Sequence, residues 1–324
     1  MQQTFNDYQA FELLANKKPL LVCGASFDLF GIDFPCEYVR FNGFKPNPLY
    51  EDAETGVKLL QETGGNFIIA VGGGSAIDTA KCIKHISNAD VPIMAIPTTS
   101  GSGSEATRSA VIYRGGEKQT ITDDRLLPDY VVLQPGLLKT LSLYQRKCTM
   151  LDALCQAVES WWSKKATRES IEYSKKAVKL ILDNMDGYLN YEDESSRNML
   201  TASNLAGKAI NITTTTAVHA MSYKISQLYN VPHGHAVALC FPKVWRSMGG
   251  FDDIARAFGK QTHTNAISFF EELLSRLDIR QPEGASVVDL EVLTNSVNEE
   301  RLGNNPASMD KEAIRALYKE ILGL

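Results

Sequence analysis

Phe67-Ile-Ile-Ala-Val-Gly-Gly-Gly-Ser-Ala-Ile-Asp-Thr-Ala-Lys81 decides the fold, because an apolar strand runs into three glycines that open directly onto a helix. Glycines 72 to 74 let a pyrophosphate approach the main chain, and the first N–H groups of the helix, at its positive dipole end, face the anion. That build points to a nucleotide cofactor. Without a ligand, the same residues read as a tight βα turn with Ser75 as N-cap and Asp78 closing a capping-box-like pair. Asp78 is grouped with the cofactor loop.

Working outward, the first part of the chain alternates short apolar runs with helical ones. Leu20 to Cys23, Tyr38 to Phe41, Phe67 to Val71 and Val91 to Ile96 each end near Gly, Pro or Ser. Such alternation predicts βαβ units and a parallel sheet. From about Leu137 the pattern changes, since Leu151, Leu154, Cys155, Val158 and Trp162 recur at helical spacing. The fold class is therefore α/β, with a Rossmann-like parallel-sheet domain over residues 1–138 and an all-helical domain over 139–324. The cleft between them is the expected active site.

The composition agrees with this reading. A chain of 324 residues with 44% hydrophobic and 22% charged content is long enough for two globular domains. A net charge of −5 without a basic block argues against nucleic acid as partner. No apolar run approaches the ~20 residues of a membrane helix, and the start lacks a basic-then-apolar signal pattern, which places the chain in the cytoplasm. Six scattered cysteines, none as Cys-x-x-Cys, read as reduced, buried thiols.

A second glycine-rich loop, Pro97-Thr-Thr-Ser-Gly-Ser-Gly-Ser-Glu105, follows the strand Val91 to Ile96, and two such loops at adjacent strand ends could hold one dinucleotide. Neither is Gly-x-Gly-x-x-Gly. After the first strand, Gly24, Ala25 and Ser26 stand where an NAD-specific site often holds an acid for the ribose hydroxyls. The room and the hydroxyl favour NADP(H) over NAD(H).

In the helical half, Asp152 and Gln156 are four residues apart and project from one helix face. Downstream come His219 and the Pro-His-Gly-His run at 232 to 235. One carboxylate and two imidazoles suit Fe2+ or Zn2+, with an amide oxygen or water completing the shell. His235 fits by spacing, but His233, fixed after a proline, is the better candidate.

Taken together, Gly-Gly-Gly-Ser-Ala-Ile-Asp-Thr-Ala-Lys at 72 to 81, the loop at 97 to 105, Asp152-Ala-Leu, His219-Ala-Met, Pro232-His-Gly and Asn304-Asn-Pro resemble the iron-containing (group III) alcohol dehydrogenases, whose fold dehydroquinate synthase shares. The stretches around 149 to 162 and 219 to 240 look like its phosphonoacetaldehyde reductase branch. The resemblance implies that Gly73, Gly74, Ser75, Thr98, Thr99 and Ser102 contact the dinucleotide, that Lys118 reaches its ribose, and that Asp152, His219 and His233 are metal ligands. The chain departs from the family at Gln156, where a histidine is usual, and at Tyr223, where many members place another histidine beside the nicotinamide. With an ordinary pKa of about 10, Tyr223 would orient or relay a proton. Arg108 and Lys208 replace uncharged residues and become candidate anchors for an anionic aldehyde. The implied activity is metal-dependent, NAD(P)H-linked reduction of a small aldehyde by a homodimer. Alternatives are an NAD-dependent glycerol or simple-alcohol dehydrogenase, a dehydroquinate synthase-like lyase, and a dinucleotide-binding protein without catalysis.

Overall fold

In the N-terminal half, strands buried on both faces read as unbroken apolar runs, which is how a parallel sheet sandwiched between helices is built. The structure is a computed structural model and describes residues 2–46 and 48–324. The elements of this half are β1 (Gln3–Phe5), β2 (Pro19–Cys23), β3 (Val39–Phe41), α1 (Tyr50–Glu62), β4 (Phe67–Gly72), α2 (Gly74–Ser87), β5 (Ile93–Pro97), β6 (Ser109–Arg114), β7 (Glu117–Thr122) and β8 (Tyr130–Val132). Six strands form one parallel sheet in the order β1-β8-β5-β4-β2-β3, and β6 and β7 form a separate antiparallel hairpin. Alternate residues serve the two faces. Leu20, Val22, Ile68, Ala70, Ile93 and Ala95 pack with Ile77, Ala80 and Ile83 of α2, whereas Leu21, Ile69, Val71 and Ile96 pack with Phe11, Leu14 and Phe27.

Register places the site. Cys23 pairs with Val71 and Gly72 with Pro97, so the loops that follow β2, β4 and β5 leave the sheet side by side at its carboxyl edge. That edge is where doubly wound sheets bind their ligands.

The rest of the chain is helical: α3 (Leu143–Trp162), α4 (Arg168–Leu189), α5 (Asp193–Thr213), α6 (Ala217–Tyr229), α7 (His233–Met248), α8 (Asp252–Ala257), α9 (His263–Arg276), α10 (Asp289–Asn295), α11 (Glu299–Gly303) and α12 (Lys311–Leu322). Ser142 and Gln145 start α3 with a reciprocal capping box. From Met150 to Trp162 every residue of α3 is buried, which makes it the central helix. The halves interlock where Gly103, at φ +61°, lies against Gly207 of α5; a methyl on Gly103 would sit 2.6 Å from the Gly207 Cα. Asn204 of α5 also donates to Glu105 at 3.1 Å.

The capping assignment at α2 needs correction. Gly73 is the N-cap and offers no side chain, while the Ser75 hydroxyl donates to the Pro46 carbonyl. Asp78 accepts from the Ser104 hydroxyl and the Val111 amide, so tertiary donors satisfy both its oxygens and no capping box forms. Among the described residues, no helix is long and apolar enough to cross a membrane. Five of the cysteines are buried, Cys36 is partly exposed, and all six are free thiols.

Candidate metal and dinucleotide site

Three helices converge on one point. Asp152 comes from the middle of α3, His219 from the first turn of α6, and His233 from the first residue of α7. One ligand atom from each lies within 4.8 Å of the others. Nε2 of His219 is 3.2 Å from Asp152 Oδ1 and Nε2 of His233 is 3.9 Å from the same oxygen, so both rings aim their outer nitrogens at the carboxylate. Gly234 permits the approach of α7, since a methyl there would stand 2.0 Å from the Cys148 carbonyl oxygen of α3.

Glu159, two turns beyond Asp152 on α3, is the buried group that orients His219. Its Oε1 accepts from the Thr216 amide at 2.9 Å, the Thr216 hydroxyl at 2.6 Å and the His219 amide at 3.3 Å, and thereby caps α6 from a neighbouring helix. Its Oε2 bonds His219 Nδ1, which holds a ring proton on that nitrogen and turns Nε2 toward Asp152, where a bound cation would take the place of the second ring proton. Burial pulls the His219 pKa down, but Glu159 and Asp152 outweigh it and carry the ring up to about 9. Burial would raise both carboxylates, yet their histidine partners hold each below its ordinary value.

Gln156 completes this face of α3. Its Nε2 reaches the Ser102 carbonyl at 3.4 Å, while its buried Oε1 has no hydrogen-bond partner among the described residues. An orphaned acceptor beside Asp152 is the atom a cation would satisfy. His235 is excluded from the cluster, because Nδ1 bonds the Tyr144 hydroxyl and Nε2 the Arg280 carbonyl.

Tyr223, one helical turn after His219, stacks on His233 with ring centroids 5.3 Å apart at 12°. Lys118, reaching in from β7, places Nζ 2.9 Å from the Tyr223 ring centroid. Arg301, on the short helix α11, lies 5.6 Å from the same centroid and bonds the Thr215 hydroxyl. Asn304 holds that helix in place by donating to the Thr213 and Thr215 carbonyls at 2.8 and 3.2 Å. Burial raises the Tyr223 pKa, so its hydroxyl stays protonated at neutral pH. Lys118 is pushed well down, by burial first and then by Arg301.

The two glycine-rich loops leave the sheet side by side, as the register requires. Methyls at Gly73 and Gly74 would meet Thr99 Cγ2 at 3.1 Å and Ser102 Oγ at 2.8 Å, so the two glycine loops touch. Thr98 is buried and its amide bonds the Gly72 carbonyl at 3.0 Å. Lys81 braces the end of the second loop and the chain entering β6: its buried ammonium donates to the carbonyls of Ser104, Thr107 and Ser109 at 2.6–2.8 Å. Gly24 follows β2, with Ser26 in the next turn, and Arg40 donates to the Gly24 carbonyl at 3.4 Å and to Asp28 at 2.8 Å. Arg108 turns outward to an ion pair with Asp124 at 2.6 Å, and Lys208 lies partly buried on α5 near Glu105.

A sequence model described as "Iron-containing alcohol dehydrogenase" matches residues 9–135, and "Fe-containing alcohol dehydrogenase family, C-terminal" matches residues 147–322. The chain belongs to the iron-containing alcohol dehydrogenase family. A 4-hydroxybutyrate dehydrogenase of Clostridium kluyveri is 32% identical over 303 residues, covering 82% of this chain and 81% of that protein. A lactaldehyde reductase of Escherichia coli (strain K12) is 28% identical over 278 residues, covering 76% and 72%. Among solved structures, a 1,3-propanediol oxidoreductase superposes with TM-score 0.91 at 26% identity, covering 98% of this chain and 97% of that one. This iron-containing alcohol dehydrogenase homologue is an NAD-linked oxidoreductase of alcohols and aldehydes with a metal-dependent site. The converging donors and the orphaned Gln156 oxygen fit such an ion.

Proposed function

We propose that the enzyme reduces a small acid-bearing aldehyde, phosphonoacetaldehyde to 2-hydroxyethylphosphonate, with one NADPH and one proton consumed per turn. The observation that carries the reading is the convergence of Asp152, His219 and His233 donors beside the two touching glycine loops. These three residues hold Fe2+ or Zn2+, with the Gln156 amide oxygen as fourth donor. When bound, the ion supplies Lewis-acid polarisation of the carbonyl and the reduced dinucleotide supplies hydride.

The chain's own residues do the rest. Gly73, Gly74, Ser75, Thr98, Thr99 and Ser102 receive the dinucleotide at the start of α2, with Asp78 steadying the second loop from behind through Ser104 and Val111. Lys118 is within reach of a ribose placed against Tyr223. Gly24 and Ser26 leave space for a 2′-phosphate, which supports NADP(H), while Arg40 is already paired with Asp28. The protonated Tyr223 hydroxyl orients the proton that the product alcohol takes up. An acid-bearing substrate agrees with the named substrate of the 4-hydroxybutyrate dehydrogenase relative, and Arg108 and Lys208 are further candidate anchors near the second loop. The working form is a cytoplasmic homodimer.

The test is a panel of aldehydes and alcohols with each nicotinamide, under anaerobic ferrous or zinc loading. Fastest NADPH oxidation with phosphonoacetaldehyde is expected. Preference for glycerol or propanediol with NAD+ would replace the reading with the simple-alcohol dehydrogenase. Absence of net NADPH consumption with any aldehyde would favour a lyase or a binding protein.

A further inference from the structure

We infer that Arg301, backed by Lys118, is the specificity-determining group that binds the acid end of the substrate. The inference rests on the aldehyde-reduction reading and assigns a residue to a selectivity which that reading leaves open. Arg301 and Lys118 approach the Tyr223 ring at 5.6 and 2.9 Å, and that ring lies on the candidate ligand His233. Both cations are thus one aromatic ring away from the donors that converge on Asp152. Neither has a carboxylate within ion-pair distance among the described residues. The only hydrogen bond of the Arg301 guanidinium among them goes to the Thr215 hydroxyl, which leaves most of its donor fork unused.

Burial and the neighbouring Arg301 push the Lys118 ammonium well down, so the charged form of the pair needs an anion beside it. A resident dication would add to the positive field of Arg301, since Asp152 is the one carboxylate among its candidate ligands and Glu159 is engaged by Thr216 and His219. An anion resolves this imbalance. The dinucleotide pyrophosphate is accounted for at the start of α2, so the remaining anion belongs to the substrate. A guanidinium fork matches a carboxylate, sulfonate or phosphonate in bidentate fashion. The geometry is also fixed in advance: Asn298 caps α11, and Asn304 ties its end to the Thr213–Thr215 loop that Arg301 touches. Arg108 differs on each count, being half exposed and already paired with Asp124. The span of one ring between the cations and the ligand cluster selects a short oxo-acid over a long-chain one.

The test compares zinc-loaded wild type, Arg301→Met, Arg301→Lys and Arg301→Gln, the last still able to bond Thr215 if the apolar variant folds poorly. Rates are read with phosphonoacetaldehyde and with uncharged butanal, and binding of inert methylphosphonate is read by calorimetry. Arg301→Met and Arg301→Gln are expected to lose about 10- to 150-fold in kcat/KM for phosphonoacetaldehyde while butanal stays within about threefold, the loss of one or two charge-assisted bonds. Arg301→Lys should fall between. Methylphosphonate should bind wild type and weaken in step with the rates. Equal losses on both aldehydes, methylphosphonate affinity unchanged in Arg301→Met and Arg301→Gln, or a matching rise in KM for NADPH would overturn the assignment. If every aldehyde is inert but methylphosphonate affinity tracks Arg301, the acid-binding assignment stands and the reduction reading fails. If charged and uncharged aldehydes are reduced alike by all four proteins, the reverse holds.

Discussion

Glu159→Gln isolates the group that orients His219. The substitution keeps size and shape, and the amide oxygen can still accept from the Thr216 amide and hydroxyl, at 2.9 and 2.6 Å in the wild type. The amide nitrogen then faces His219 Nδ1, where the carboxylate Oε2 had accepted a proton. Two N–H groups cannot share that contact. Either the imidazole moves its proton to Nε2, the nitrogen directed at Asp152, or the amide turns over and abandons Thr216. The first outcome removes the ligand pair on Nε2, and the second keeps it but sets the amide N–H2 against the Thr216 donors and loosens the start of α6 that carries His219. Loss of such an orienting partner typically costs 10- to 100-fold in metal affinity, or about 1.4–2.7 kcal/mol. Competition with a chromophoric chelator measures the affinity, and circular dichroism confirms that the fold persists. An affinity within about twofold of wild type, well short of the typical loss, would refute the claim that Glu159 sets the tautomer.

Gly234→Ala drives a methyl into the Cys148 carbonyl and should push α7 off α3, costing about 1–3 kcal/mol in urea unfolding and lowering metal content together. Lys81→Met leaves the buried carbonyls of Ser104, Thr107 and Ser109 without their donor and removes the positive charge near Asp78 and Glu105, so a loss of about 3–5 kcal/mol is expected by the same unfolding assay. Gln156→Leu should weaken metal binding in the chelator competition and Gln156→His should strengthen it; identical affinities would remove the amide from the ligand set. Stripping the metal from the wild type should lower Tm, because the convergence of Asp152, His219 and His233 loses its bound partner; an unchanged Tm would mean that no ion stabilises the cluster.

The parts of the molecule governed by local pattern were readable from the chain. Phe67 to Val71 and the glycines after it announce themselves because a strand covered on both faces has no polar positions. Asp152, His219 and His233 stood out as sparse ligand types in apolar helices. Glu159 carried a signal, an acid two turns from Asp152 in a helix apolar on every side, yet its partner Thr216 is distant in sequence. The hairpin β6–β7 also had a signal in Gly115-Gly116, both at positive φ. β1 and β8 have three residues each, too few to show a period. Ser75 looked like a cap because nothing local reveals the Pro46 carbonyl beside it. Arg301 sits in a five-residue helix among acids, and its importance appears only when Asn304 folds that segment onto Thr215 and Tyr223.

The account depends on one divalent ion held between α3, α6 and α7. Anomalous diffraction at the iron or zinc edge, from crystals of the metal-loaded protein, tests it most directly. A single peak per chain about 2.0–2.2 Å from Asp152 Oδ1, His219 Nε2 and His233 Nε2 is predicted. A peak elsewhere, or none at full metal loading, would contradict it.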